Sequence, residues 1–312
     1  MIDLEQLTKE VCRVARVAGA YIRKERMGFS TERVERKHAH DYVSYVDKGS
    51  ERMIVEALKA LLPEAGFITE EGLASHSDEQ TLWVVDPLDG TTNFIHGFSP
   101  YAVSIALIRG REILIGVVYE VCADECFYAW QGGGAYLDGK ALHVGNSAIG
   151  DALLCLQLPY NSDAYKPVIK RLIDRFYGNV GSIRMIGSAA MALCYVAAGR
   201  LDAYAERYIG QWDYMAGTLI VMEAGGKVTN YGGDEYFMEG DSVIATNSII
   251  HDDILDAIAQ WGQILCDIFI SQNLLCAICP TASGVGESHH GYSRQVRSLP
   301  TFRQDRNRGE YR

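Results

Sequence analysis

Apolar residues recur every three to four positions at Leu4, Leu7, Val11, Val14, Ala15, Ala18 and Ile22. The spacing predicts an amphipathic helix that runs to about Met27. A second helical pattern extends from near Asp47 to Leu62 and stops at Pro63. Beyond it the period shortens. Phe67-Ile68-Thr69 and Leu82-Trp83-Val84-Val85-Asp86 are short apolar runs bounded by Gly and Asp, and Val103–Ile108 and Ile113–Val121 flank Arg109-Gly110-Arg111-Glu112 as a hairpin would. Gly132-Gly133-Gly134 and Asp138-Gly139 mark further turns. The first half therefore reads as α+β with an antiparallel sheet.

From about Asp151 the order changes. A strand over Ala152–Leu158 precedes helices near Tyr165–Tyr177 and Ser188–Ala198, then a strand over Leu201–Glu206, a helix over Asp213–Ala224 and a strand over Val243–Thr246. Strands alternating with helices predict an α/β second half. The expected division is 1–145, 146–262 and a loosely packed tail over 263–312. That last segment holds six arginines, no lysine and a Gly/Ser/His stretch. Its Cys276-Ala277-Ile278-Cys279, followed by His289 and His290, could ligate zinc, but one CxxC without a second spaced pair is a weak signal.

Composition narrows the function classes. The net charge of −11 argues against nucleic acid, which needs a basic face. It leaves open a phosphorylated small molecule, because bound divalent cations reverse the charge of an acidic pocket. Eight scattered cysteines in 312 residues do not make a disulfide scaffold. No secretory leader is visible at the N-terminus and no uninterrupted membrane span in the chain, so the expected compartment is the cytoplasm.

The segment that carries chemistry is Trp83-Val84-Val85-Asp86-Pro87-Leu88-Asp89-Gly90-Thr91-Thr92-Asn93. An apolar strand delivers two carboxylates across a proline, Gly90 lets the backbone approach a ligand, and Thr91-Thr92 can open a helix. Hard oxygen ligands beside free N–H groups suit a metal-bridged phosphate. The plainer alternative is a strand–turn–helix whose Asp89 only caps. Glu70 at the end of the preceding strand and Asp213 at a helix start add further acids, each unremarkable alone; together they suggest a polyacidic metal site.

Thr69-Glu70-Glu71, the Asp86–Thr92 run and Trp212-Asp213-Tyr214-Met215-Ala216-Gly217 resemble the signature segments of the inositol monophosphatase family. This family groups with the fructose-1,6-bisphosphatases among magnesium-dependent, lithium-sensitive phosphatases. Asp41–Asp47, Gly187-Ser188-Ala189-Ala190 and Asp202–Glu206 match more weakly, and the resemblance runs to about Ile258. It implies a layered αβαβα sandwich with the site between its halves, two to three Mg²⁺ ions, and a homodimer.

The resemblance also assigns roles. Glu70, Asp86 and the Leu88 carbonyl would hold one Mg²⁺, and Asp86, Asp89 and Asp213 a second, with a third sharing Glu70. Thr91, bonded to Asp47, would orient and deprotonate the attacking water. The N–H groups of Gly90 and Thr91 would cradle the phosphate. Gly187, Ser188, Ala189, Glu206, Asp89 and Asp213 would face the substrate, with Lys37 nearby. Threonine is no base at neutral pH, so a partner such as Asp47 is required. Inositol-1-phosphate is the expected substrate. The alternatives are fructose-1,6-bisphosphate, histidinol phosphate, a broad set of sugar phosphates, or a non-catalytic binding protein that keeps the fold. Thr69 stands where many relatives carry glycine, and Gln211 where several carry a smaller residue.

Overall fold

The computed structural model describes residues 2–29, 34–38, 41–73, 80–158, 162–235 and 242–258, with the side chains of 34–44 and 162–164 left aside. The expectations for the 263–312 tail, the zinc ligands Cys276, Cys279 and His289, and Lys37 lie outside what is described.

Helix α1 (Leu4–Met27) starts at Asp3, whose carboxylate accepts from the Gln6 N–H at 3.0 Å, an N-cap worth about 1 kcal/mol. After the hairpin β1 (Val34–His38) and β2 (Asp41–Ser44), helix α2 (Tyr45–Leu61) stops before Pro63. A seven-stranded sheet follows. Its strands are β3 (Gly66–Thr69), β4 (Thr81–Asp89), β5 (Ala102–Arg109), β6 (Glu112–Glu120), β7 (Glu125–Trp130), β8 (Gly134–Leu137) and β9 (Lys140–Ala141), side by side in chain order. Helix α3 (Thr91–His96) interrupts between β4 and β5. All pairs are antiparallel except β3 with β4, which is parallel.

The second half contributes β10 (Leu153–Leu156), α4 (Ser162–Phe176), β11 (Ser182–Arg184), α5 (Ala189–Ala197), β12 (Ala203–Arg207), α6 (Gln211–Glu223), β13 (Lys227–Thr229) and β14 (Ser242–Thr246). Residues 251–258 are helical. Its five-stranded sheet has the order β11-β10-β12-β14-β13. The sheet is parallel across β11-β10-β12 and antiparallel beyond, so the α/β alternation seen in the sequence yields a mixed sheet.

Alternation along the strands decides the layers. Trp83 and Val85 of β4 point into a core with α1 and α2, while Val84 points the other way into a core with α5 and α6. In the second sheet, Cys155 and Tyr204 join that same α5–α6 core; Leu154, Leu156, Ala203 and Ala205 face a third core with α4 and the 251–258 helix. The result is the layered αβαβα sandwich the resemblance implied. Sandwiched between two sheets, α5 buries eight of its nine residues and carries no charge. Helix α6 lies so close to β6 that a Cβ on Gly116 would meet the Ala216 carbonyl oxygen at 2.4 Å.

Two local outcomes were not legible. β4 continues through Pro87 to Asp89, with the ladder broken between Asp86 and Asp89, instead of ending at Asp86. Such a bulge accommodates a residue that lacks the N–H donor. The short strands β7, β8, β9, β11 and β13 carry too little periodicity to predict. Among the described residues, no helix is long and apolar enough to cross a membrane, and Cys12, Cys122, Cys126, Cys155 and Cys194 are free thiols.

Candidate active site

The irregular end of β4 builds the floor of the site. Within the bulge the Leu88 N–H donates to the Asp86 carboxylate at 2.9 Å, and the Ser50 hydroxyl donates to the Pro87 carbonyl at 3.0 Å. Gly90 then turns the chain at φ 85°, a left-handed conformation that costs other residues energy. A Cβ there would also sit 3.1 Å from the Pro100 carbonyl oxygen and 3.2 Å from that of Gly187. Gly90 opens α3, whose first N–H groups have no intrahelical acceptor. The Thr91 hydroxyl lies 2.9 Å from the Asp47 carboxylate and 3.0 Å from the Leu88 carbonyl, both acceptors for its proton. Asp47 sits fully buried in the first turn of α2.

Two further acids reach this floor from different elements. Parallel pairing of Thr69 with Val85 and a 3.2 Å bond from the Glu70 N–H to the Val85 carbonyl set Glu70 beside Asp86. Asp213 occupies the third position of α6, where it accepts the Gly210 N–H at 2.6 Å. Ser104, paired with Asp86 across β4 and β5, donates to the Trp212 carbonyl at 3.1 Å and so ties the α6 start to the floor. Carboxylate oxygens of Asp86, Asp89 and Asp213 consequently lie within 4.8 Å of one another.

Without a cation this crowding is unfavourable. Burial raises the Asp86 carboxyl far above its ordinary range, and Glu70, Asp89 and Asp213 push it further. Asp213 is raised likewise, by burial first and then by Glu70 and Asp89. Burial lifts Asp89 to about 6, against the pull of the Ser188 hydroxyl and the N–H groups of Ala189, Ala190 and Met191 at the start of α5.

Above this floor opens a cavity of about 410 Å³. The first half of the chain lines it with Glu70, Asp86, Leu88, Asp89, Gly90 and Thr91, and the second half with Gly187, Ala189, Glu206 and Asp213. Two of the residues singled out from sequence stand behind this lining. Asp47 lies under Thr91, and Ser188 donates to Asp89 while capping α5. The Ala189 N–H also donates to Asp89, at 3.1 Å. Glu206 accepts from Tyr204, yet burial and the Asp89 charge raise it to about 7.

Asn93, Gln157 and Tyr208 line the cavity without a role assigned from sequence. Asn93 donates to the Pro100 and Ile186 carbonyls, each at 2.8 Å, and thereby joins the two halves. Gln157 accepts from the N–H groups of Ile186 at 3.0 Å and Gly187 at 3.3 Å. Tyr208 carries φ 63°, in the left-handed region, with its ring edge-on to Tyr165 and the Arg207 guanidinium 5.0 Å from its centroid. Asn93 was within reach of a reading, since it closes the Asp86–Asn93 run. Nothing in the sequence marks the backbone of Tyr208.

The donor set tests whether a metal suits the site. Several carboxylates at the base of a buried cleft are all hard oxygen ligands, the chemistry of Mg²⁺ rather than of thiolate- or imidazole-binding metals. A cation would offset the burial and the mutual repulsion that raise the Asp86 and Asp213 carboxyls. The residues fit.

A family model described as the inositol monophosphatase family matches residues 3–263. Inositol monophosphatase 2 of Solanum lycopersicum is 40% identical over 267 residues, covering 82% of this chain and 99% of the relative. A fructose-1,6-bisphosphatase/inositol-1-monophosphatase of Aquifex aeolicus is 37% identical over 265 residues, covering 84% and 99%. Among solved structures, inositol monophosphatase from Anabaena superposes with a TM-score of 0.74 at 30% identity, covering 83% of this chain and 97% of that one.

Proposed function

The chain belongs to the inositol monophosphatase family and is a phosphoric monoester hydrolase, and within that class we propose that it cleaves inositol-1-phosphate to inositol and phosphate. The observation that carries the reading is the convergence of Asp86, Asp89 and Asp213 on one cavity floor, with the Thr91–Asp47 pair beside them and Glu206 opposite. The family is magnesium-dependent in general. We assign Glu70, Asp86, the Leu88 carbonyl, Asp89 and Asp213 to two to three Mg²⁺ ions. Bound there, Mg²⁺ would neutralise the phosphate, acidify a water and stabilise the leaving alkoxide.

The chain's own residues then have distinct tasks. Thr91 Oγ1 donates to Asp47 Oδ1, which leaves its lone pairs to accept from the attacking water; the proton passes along this line toward Asp47. N–H groups of Gly90 and Thr91 hold phosphate oxygens at the start of α3. Gly187, Ser188 and Ala189 fix the wall against Asp89, and Glu206 accepts from the polyol hydroxyls. Retention of every acid together with Thr91 speaks against a non-catalytic binding protein.

We further propose lithium inhibition, a homodimer, a cytoplasmic location and no nucleic-acid or membrane partner. The phosphate-binding half over 1–145 and the completing half over 146–262 carry the site, with 263–312 dispensable. Fructose-1,6-bisphosphate is the runner-up substrate, since the Aquifex relative is named for both activities and Arg207 brings a positive charge next to the cavity-lining Tyr208. Phosphate release should be measured on inositol-1-phosphate, fructose-1,6-bisphosphate, histidinol phosphate and phosphoadenosine phosphate. Inositol-1-phosphate should give the highest kcat/KM; a higher value for any other substrate overturns the assignment.

A further inference from the structure

Helix α2 points two acids at the site one turn apart. Asp47 serves Thr91, while Glu51, fully buried, has been given no task so far. Both Glu51 oxygens are engaged by the turn that follows β3. The Thr69 hydroxyl donates to one at 2.8 Å and the Leu73 N–H to the same one at 2.7 Å; the Glu71 N–H donates to the other at 2.8 Å. These donors bracket Glu70 on both sides. On the opposite side, the Glu70 N–H is fixed to β4 by its bond to the Val85 carbonyl. Thr69 is 8% exposed, so its hydroxyl has little access to water as a substitute partner.

We infer that Thr69 and Glu51 form a positioning pair that holds Glu70 in metal-binding geometry and thereby sets the affinity of the site for Mg²⁺. The inference rests on the reading of the acids as a magnesium centre. A carboxylate ligand binds tightly only when its own backbone and rotamer are held close to the bound geometry, and its hydrogen-bonded supports are costly to lose. The Thr69 side chain makes this support adjustable. Serine keeps the hydroxyl; valine keeps the volume and loses the donor, leaving a buried Glu51 oxygen with one partner fewer.

The test is calorimetric titration of the full-length protein with Mg²⁺ in the absence of substrate, so the readout is binding and not turnover. Thr69→Val should weaken Mg²⁺ binding by roughly 10-fold, while Thr69→Ser stays within about twofold of the wild type. Ile54→Val, on the helix that carries Glu51 but facing the α1–α2 core, serves as the stability control. It should lower the Tm and leave the isotherm unchanged. Wild-type affinity in Thr69→Val, or equal weakening in Thr69→Ser and in Ile54→Val, overturns the pair as a positioning device. Absence of Mg²⁺ binding by the wild-type protein is a different result and overturns the magnesium centre itself.

Discussion

The floor of the cavity and its far wall are built in contrasting ways. The floor is buried from Asp86 to Asp89, half-buried at Gly90 and Thr91, and tied by hydrogen bonds: Leu88 to Asp86, Ser50 to Pro87, Thr91 to Asp47. The wall places Glu206 beside Tyr208, 36% exposed in a left-handed backbone, and Leu158, 55% exposed. A left-handed non-glycine residue costs on the order of 1–3 kcal/mol and persists where its surroundings over-determine it. On the proposed function the floor carries the phosphate chemistry that any substrate needs, and the wall meets the alcohol, the part that differs between substrates. That reading separates chemistry from specificity by element, and each substitution should reveal on which side it falls.

The largest effect should come from the floor. Asp86→Asn should cut kcat/KM by about 10³-fold or more on every phosphate monoester, because it removes a charge where charge must be balanced. The same change should raise the Tm of the metal-free protein, since burial first, and then Glu70, Asp89 and Asp213, oppose a charge on Asp86. Loss of activity on one substrate alone would break the separation. Next in size, Thr91→Ala should lower kcat by roughly 10²-fold with little change in metal binding. Asp47→Asn should resemble it, and the double variant should be little worse than either. Effects that multiply would mean that the 2.9 Å contact is not a proton path.

On the wall, Glu206→Gln should weaken kcat/KM for inositol-1-phosphate by roughly 10-fold, the worth of one charge-assisted hydrogen bond, and should barely affect p-nitrophenyl phosphate. Equal losses would move Glu206 to the side of the floor.

The smallest effect is on stability. Asp89 and Glu206 are raised to about 6 and about 7 in the metal-free fold, above their unfolded values. The native state therefore binds more protons than the unfolded state between about pH 4 and 7, and stability falls as pH rises through that window. The Tm of chelated protein should drop by several degrees from about pH 5 to about pH 8, and Mg²⁺ should restore it at the upper end. A Tm that rises with pH in chelator would contradict the burial cost assigned to these carboxyls.

The same contrast explains what is legible in the sequence. α1, α2, the β5–β6 hairpin and the apolar α5 were legible because long runs keep one period. The floor was legible because its chemistry is local: Asp86, Asp89, Gly90 and Thr91 are neighbours in the chain, as are Trp212 and Asp213. The wall was not. Gln157 acts through a loop thirty residues away, Tyr208 through its backbone, and Glu51 through a turn that only the parallel β3–β4 pairing brings to it. Thr69 illustrates the limit best: in sequence it is only a threonine in a glycine position of the pattern, and its hydroxyl bond to Glu51 exists only in the fold.

The central claim is that the buried acids are a magnesium centre for monoester hydrolysis. Its most direct test follows phosphate release from inositol-1-phosphate while chelated protein is titrated with Mg²⁺ and its Tm is recorded in parallel. Activity and Tm should both begin near their floor and rise over the same Mg²⁺ range. Full turnover in excess chelator, or a Tm indifferent to Mg²⁺, would contradict the account.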